Sequence, residues 1–132
     1  MTALLHRLCR YGPAVIMALL IPVLSLLPAR FFAHIAGPPP FPGMDKLIHA
    51  LMYAALTAAL FHALSPSARV RYLWAFRLAF AASLYGLVME LCQKILTDTR
   101  SLDPLDAFAN MTGAFVIALL ACAWARRRRK PH

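Results

Sequence analysis

The sequence predicts an all-α protein, a four-helix antiparallel bundle that crosses a membrane with its N-terminus and C-terminus both cytoplasmic. Three observations predict it. The 132 residues are 61% hydrophobic and only 14% charged, with mean hydropathy +0.65, a balance foreign to soluble domains. Four apolar stretches approach or reach the roughly 20 residues that span hydrocarbon, where each backbone amide must bond within its own segment. The basic residues, finally, divide unevenly among the segments that join those stretches. At this length the chain is one domain, 1–132.

The first span is expected at about 11–28. Pro13 falls near its start, where a missing N–H is harmless, and Pro22 should kink its interior. His6, Arg7 and Arg10 precede the apolar run as in a secretory signal, but Ser25-Leu26-Leu27-Pro28-Ala29-Arg30 offers no A-x-A cleavage site, so the stretch reads as a retained helix. Gly37-Pro38-Pro39-Pro40-Phe41-Pro42-Gly43 then forms a stiff extended connector. The second span follows at about 46–64 and the third at about 72–96. Arg77 lies about 8 Å inside the third at 1.5 Å per residue, close enough for its guanidinium to snorkel out. The fourth is expected at about 104–125, with Asp103 as N-cap, Pro104 at N1 and Asp106 at N3, where the helix dipole favours a carboxylate. Short links at 65–71 and 97–103 make neighbouring helices antiparallel.

Orientation follows from Lys and Arg in the flanks, which accumulate on the cytoplasmic side. With the N-terminus inside, the inner segments hold Arg7, Arg10, Arg69, Arg71 and the run Arg126, Arg127, Arg128, Arg129 and Lys130. The outer segments hold only Arg30, Lys46, Lys94 and Arg100. The formal charge of +9 is therefore largely a helix anchor at an anionic leaflet. It forms no basic face with a recognition helix or interleaved aromatics, so no nucleic-acid partner is expected. Cys9, Cys92 and Cys122 are far apart and odd in number, which argues against a disulfide framework or a zinc site.

The polar residues are concentrated. In this topology all five acidic residues, Asp45, Glu90, Asp98, Asp103 and Asp106, fall at the outer ends of the last three spans or in the loop joining the last two. Asp45, His49 and Tyr53 recur at i, i+4 and i+8 and share one stripe, with Lys46 beside its top. Gly86, Glu90, Gln93 and Lys94 make a second stripe, and Asp106, Asn110 and Gly113 a third. Polar groups facing lipid are expensive, so the three stripes should turn inward and form a polar pocket open to the outer surface. Asn110-Met111-Thr112 matches a glycosylation sequon but lies within a span. His6, His34, His62 and His132 have no partner at ligand spacing.

These elements resemble the VanZ-like membrane proteins. The resemblance rests on Asp45-Lys46-x-x-His49-x-x-x-Tyr53, then Gly86-x-x-x-Glu90-x-x-Gln93, then Arg100 followed by Asp106-x-x-x-Asn110-x-x-Gly113, in that order across the last three spans. The chain departs from the family pattern at Ala50, where an aromatic is usual, at the position before Arg100, where a proline is common, and at Ile117, where a second small residue often follows the glycine. The resemblance implies a multi-pass protein of the bacterial cytoplasmic membrane, in a family named for glycopeptide (teicoplanin) resistance and without a common established reaction.

Three readings of the stripes follow. In the first they bind an anionic group, such as the phosphate of a cell-envelope lipid carrier or a carboxylate of a cell-wall precursor. Lys46, Arg100 and Lys94 then supply charge while Tyr53, Gln93, Asp106 and Asn110 shape the site. In the second the chain is a membrane enzyme, with His49 and Glu90 as base and acid and Asp45 orienting the imidazole. The sequence has no G-x-S-x-G elbow, phosphate loop or H-E-x-x-H. No cofactor and no resident metal is expected, although within the enzyme reading His49, Glu90 and Asp106 make a donor set for a hard or borderline divalent ion. In the third the stripes only lock a structural or accessory subunit. Each residue also has a plain role available: Asp45 as a cap, His49 and Tyr53 as interhelical hydrogen bonds, Glu90 as a partner of Lys46, Lys94 or Arg100.

Overall fold

The computed structural model describes residues 2–27, 41–64, 72–97 and 103–127. They form four helices: α1 (Thr2–Leu26), α2 (Met44–Leu64), α3 (Tyr72–Leu96) and α4 (Pro104–Arg127). All four are long and apolar enough to cross a membrane. Large side chains such as Leu73, Phe80, Leu84, Leu119, Leu120 and Trp124 face outward along the bundle, more apolar surface than a soluble monomer displays. The chain is a multi-pass membrane protein. Arg100 and Asp98 lie outside the described residues, as do Arg30, Arg69, Arg71, Arg128, Arg129 and Lys130 and most of the proline-rich connector.

Contacts at the two ends fix the alternation of direction. Arg10 near the start of α1 donates to the carbonyl of Ala63 near the end of α2, 2.9 Å away. Arg126 at the end of α4 donates to the Tyr72 hydroxyl at the start of α3, at 2.6 Å. Each helix therefore runs opposite to the one before it. α4 packs against α2 and α3, and α1 lies across α2 and, to a smaller extent, α3.

The first helix differs from its expected limits. It starts at Thr2, so Pro13 is not at a helix start but inside the helix, together with Pro22. The residues before Pro13, including Leu4, Leu5 and Leu8, continue the apolar character of the span, and the helix extends with them. Pro22 has no N–H to give the carbonyl four residues earlier, which is Ala18. That carbonyl instead accepts from the Tyr85 hydroxyl of α3 at 2.7 Å. The same logic serves helix ends: the carbonyl of Ser25, in the last turn of α1, takes Gln93 Nε2 of α3 at 2.8 Å. Side chains of neighbouring helices thus satisfy backbone groups that hydrocarbon could not.

Small residues set how closely α4 approaches its neighbours. Gly113, Ala114, Ala118, Cys122 and Ala125 are all buried on one face, a spacing of three and four that makes a smooth groove. A Cβ built on Gly113 would fall on the backbone carbonyl of Ala50 in α2. The departures at Ala50 and Ile117 therefore leave a close α2–α4 approach intact, because Ala114 and Ala118, each fully buried, supply the small surface beside Gly113. Gly43, immediately before α2, has φ +85°, a left-handed turn conformation that favours glycine. Its carbonyl accepts the Leu47 amide at 3.1 Å.

Candidate functional site

His49, Glu90 and Asn110, one from each polar stripe, meet with Asp106 at the end of the bundle where α2 and α4 begin and α3 finishes. Cost dictates this: Glu90 is 2% exposed and Asn110 1%, and such groups are tolerated at membrane depth only against one another. Asn110 is the hub. Its side-chain oxygen lies 3.1 Å from His49 Nδ1, and its Nδ2 donates to Glu90 Oε1 at 3.4 Å. Glu90 Oε1 is itself 3.5 Å from His49 Nδ1. One residue from each of α2, α3 and α4 thus meets around the imidazole nitrogen.

A second, more exposed layer surrounds Lys46. Its ammonium contacts Asp103 at 2.8 Å, Asp106 at 3.0 Å and Asp45 at 3.1 Å. Asp45 is well exposed, Asp103 partly so, and Asp106 largely covered, so polar groups run without a break from the surface to Glu90. Lys46 holds the Asp103 carboxyl below the ordinary carboxylate range. Asp103 does cap α4, accepting the Leu105 amide at 2.9 Å ahead of Pro104, but capping does not account for it alone: its other oxygen ties α4 to α2 through Lys46. The two layers join at Asp106, which with His49 and Glu90 offers ligand atoms that all lie within 4.8 Å of one another.

Several expected roles are placed differently. Asp45 does not orient the imidazole; it binds Lys46, and Asn110 has the position beside Nδ1. Lys46 is held by the three aspartates, and Lys94 is exposed on α3. Gln93 is buried but engages the Ser25 carbonyl, so it joins α3 to α1 rather than facing the cluster. Ser25 was not foreseen, because a backbone acceptor near a helix end leaves no mark in a residue pattern. Tyr53 is 1% exposed and its hydroxyl has no hydrogen-bond partner among the described residues. A Cβ on Gly86 would meet Tyr53 Cε1 at 3.0 Å and Asn110 Nδ2 at 3.1 Å. The missing side chain of Gly86 thus leaves room for both the tyrosine ring and the asparagine side chain against α3.

Fold and cluster together define a four-span membrane protein with a buried His–Asn–Glu contact beneath a lysine–carboxylate surface layer. Comparison with family models, curated proteins and solved structures finds no match for the chain.

Proposed function

We propose that the chain is a VanZ-like protein of the bacterial cytoplasmic membrane that recognises an anionic group of a cell-envelope lipid or cell-wall precursor at its outward-facing end. The observation that carries this reading is the unbroken polar path from exposed Asp45 through Lys46 and Asp106 to buried Glu90. A path of this kind is costly in hydrocarbon and needs a compensating task. Lys46 stands at its mouth, where an incoming phosphate or carboxylate competes with the exposed Asp45 and Asp103 for the ammonium. Arg100, placed by the sequence in the adjoining loop, adds a bidentate donor. The order of the matching elements across the last three helices supports the VanZ-like assignment, and the basic flanks support the orientation.

The test is binding of a long-chain polyprenyl phosphate to the purified protein in nanodiscs, with zwitterionic lipid as reference. Lys46→Gln and Arg100→Gln should each weaken binding about tenfold or more, since a charge-assisted hydrogen bond contributes about 1.5–3 kcal/mol. Equal affinity for the charged and zwitterionic lipids, or unchanged affinity in both variants, would remove this reading.

A second reading, acid–base catalysis at the same site, is favoured by the 3.5 Å approach of His49 Nδ1 to Glu90. It requires that His49→Gln abolish turnover of a bound lipid while leaving its affinity in place.

A further inference from the structure

Lys46 is outnumbered. In the outer layer one ammonium faces the carboxylates of Asp45, Asp103 and Asp106, and Glu90 lies deeper, beside His49. Carboxylates gathered in this way are suited to a cation. The deepest part of the cluster also has the right donors. His49 contributes an imidazole nitrogen, Glu90 and Asp106 contribute carboxylate oxygens, and all three ligand atoms lie within 4.8 Å of one another.

We propose that His49, Glu90 and Asp106 bind a divalent cation of borderline hardness, of the zinc or manganese class, and that this ion supplies the positive charge on which an anionic ligand docks. The proposal deepens the anion-recognition reading and rests on it for the second clause only. One donor pair already has the spacing of such an ion, and the full set, spread over up to 4.8 Å, draws together around it. Bonds of about 2.0–2.2 Å to nitrogen and oxygen at tetrahedral angles place neighbouring donors about 3.3–3.5 Å apart. His49 Nδ1 and Glu90 Oε1 are separated by 3.5 Å. Asn110 Oδ1, 3.1 Å from the same nitrogen, is positioned as a further oxygen donor. One oxygen of Asp106 holds Lys46, and its carboxylate still reaches the cluster. A nitrogen among the donors favours zinc or manganese over calcium or magnesium, which prefer all-oxygen sets.

Tyr53 is an independent sign that something further belongs here. Its hydroxyl is buried without a partner among the described residues, a desolvation left uncompensated, and it sits on the His49 stripe one turn further along α2. Helical side chains lean toward the N-terminus of their helix, which directs the phenol toward His49. Its ring edge and the Asn110 amide both border the side-chain-free face of Gly86. A water or ligand oxygen on the ion gives that hydroxyl an acceptor.

The experiment uses the full chain, purified in detergent, stripped with chelator and titrated separately with zinc, manganese, magnesium and calcium. Metal content by mass spectrometry, calorimetric affinity and metal-dependent thermal stabilisation are read together. About one zinc or manganese per chain is expected. His49→Ala, Glu90→Gln and Asp106→Asn should each weaken binding more than about 100-fold, beyond the 10–100-fold that loss of an outer-shell partner costs, while Lys94→Ala leaves it unchanged. Circular dichroism confirms that each variant is helical; should Glu90→Gln fail to fold, His49→Ala and Asp106→Asn decide. Absence of stoichiometric metal, or affinity unchanged in His49→Ala and Asp106→Asn, overturns the proposal. Polyprenyl phosphate binding is then measured with and without chelator. Binding that survives metal removal sinks the coupling of metal to anion and leaves the recognition reading standing. Stoichiometric metal without any phosphate binding removes that reading and keeps the ion site.

Discussion

Gly113 shows how much one missing side chain decides. The Ala50 carbonyl occupies the place where a Cβ would go, and backbone cannot step aside as a flexible side chain can. Gly113→Ala should therefore destabilise the bundle by at least the roughly 1–3 kcal/mol typical of overpacking. Gly86→Ala meets only the Tyr53 ring edge and the Asn110 side chain at 3.0–3.1 Å, and should cost less. Thermal unfolding in detergent ranks the two, and equal melting temperatures would mean that α2 and α4 are further apart than described. Gly113 and Asn110 could be singled out in the sequence as parts of a stripe. What each touches could not, because the partners, Ala50 on one side and His49 with Glu90 on the other, come from helices more than 15 residues away in the chain.

At the scale of the element, α4 is fastened at its start by a residue with two jobs. Asp103 caps the helix through the Leu105 amide and ties it to α2 through Lys46. Its carboxyl is depressed in the folded state, chiefly by the hydrogen bond from Lys46. The stabilisation it gives is therefore present above the unfolded carboxylate value near 3.8 and is lost as pH falls through the lower folded value. Asp103→Asn keeps a good cap but removes the charge, so it should lower the melting temperature at neutral pH and flatten the acid limb of the stability profile. Asp103→Ala, which removes the cap as well, should lower it further. An unaltered acid limb in Asp103→Asn would show that the Lys46 contact is absent in solution. α1 carries the opposite lesson: an interior proline needs an outside donor, and Tyr85 provides one for the carbonyl that Pro22 leaves open.

For the whole molecule, four spans put both ends of the bundle's chain on the same side, and the basic flanks in the sequence predict that this side is the cytoplasm. A reporter fused after Arg129 should be active only when its active compartment is cytoplasmic; activity of a periplasmic reporter at that position would reverse the orientation and turn the polar end inward. The number of helices and their apolar character were legible because the roughly 30 Å of hydrocarbon imposes length and composition on each segment independently of its neighbours. The meeting of His49, Glu90 and Asn110 was legible for a related reason, since lipid offers such groups no alternative to one another, whereas Gln93 and Lys94 of the same rows turn elsewhere. The start of α1 was not, because apolar residues ahead of Pro13 read equally well as flank or as helix.

The sequence by itself thus determined the architecture and which residues had to leave the lipid: solvent cost acts on each residue singly and is written in composition and period. Only the tertiary structure decided the pairings. It gave Lys46 to three aspartates, Gln93 to the end of α1, and the place beside His49 to Asn110 rather than Asp45. Those choices depend on helix rotation and on how closely backbones approach at Gly86 and Gly113, quantities set by packing between distant segments rather than by any local pattern.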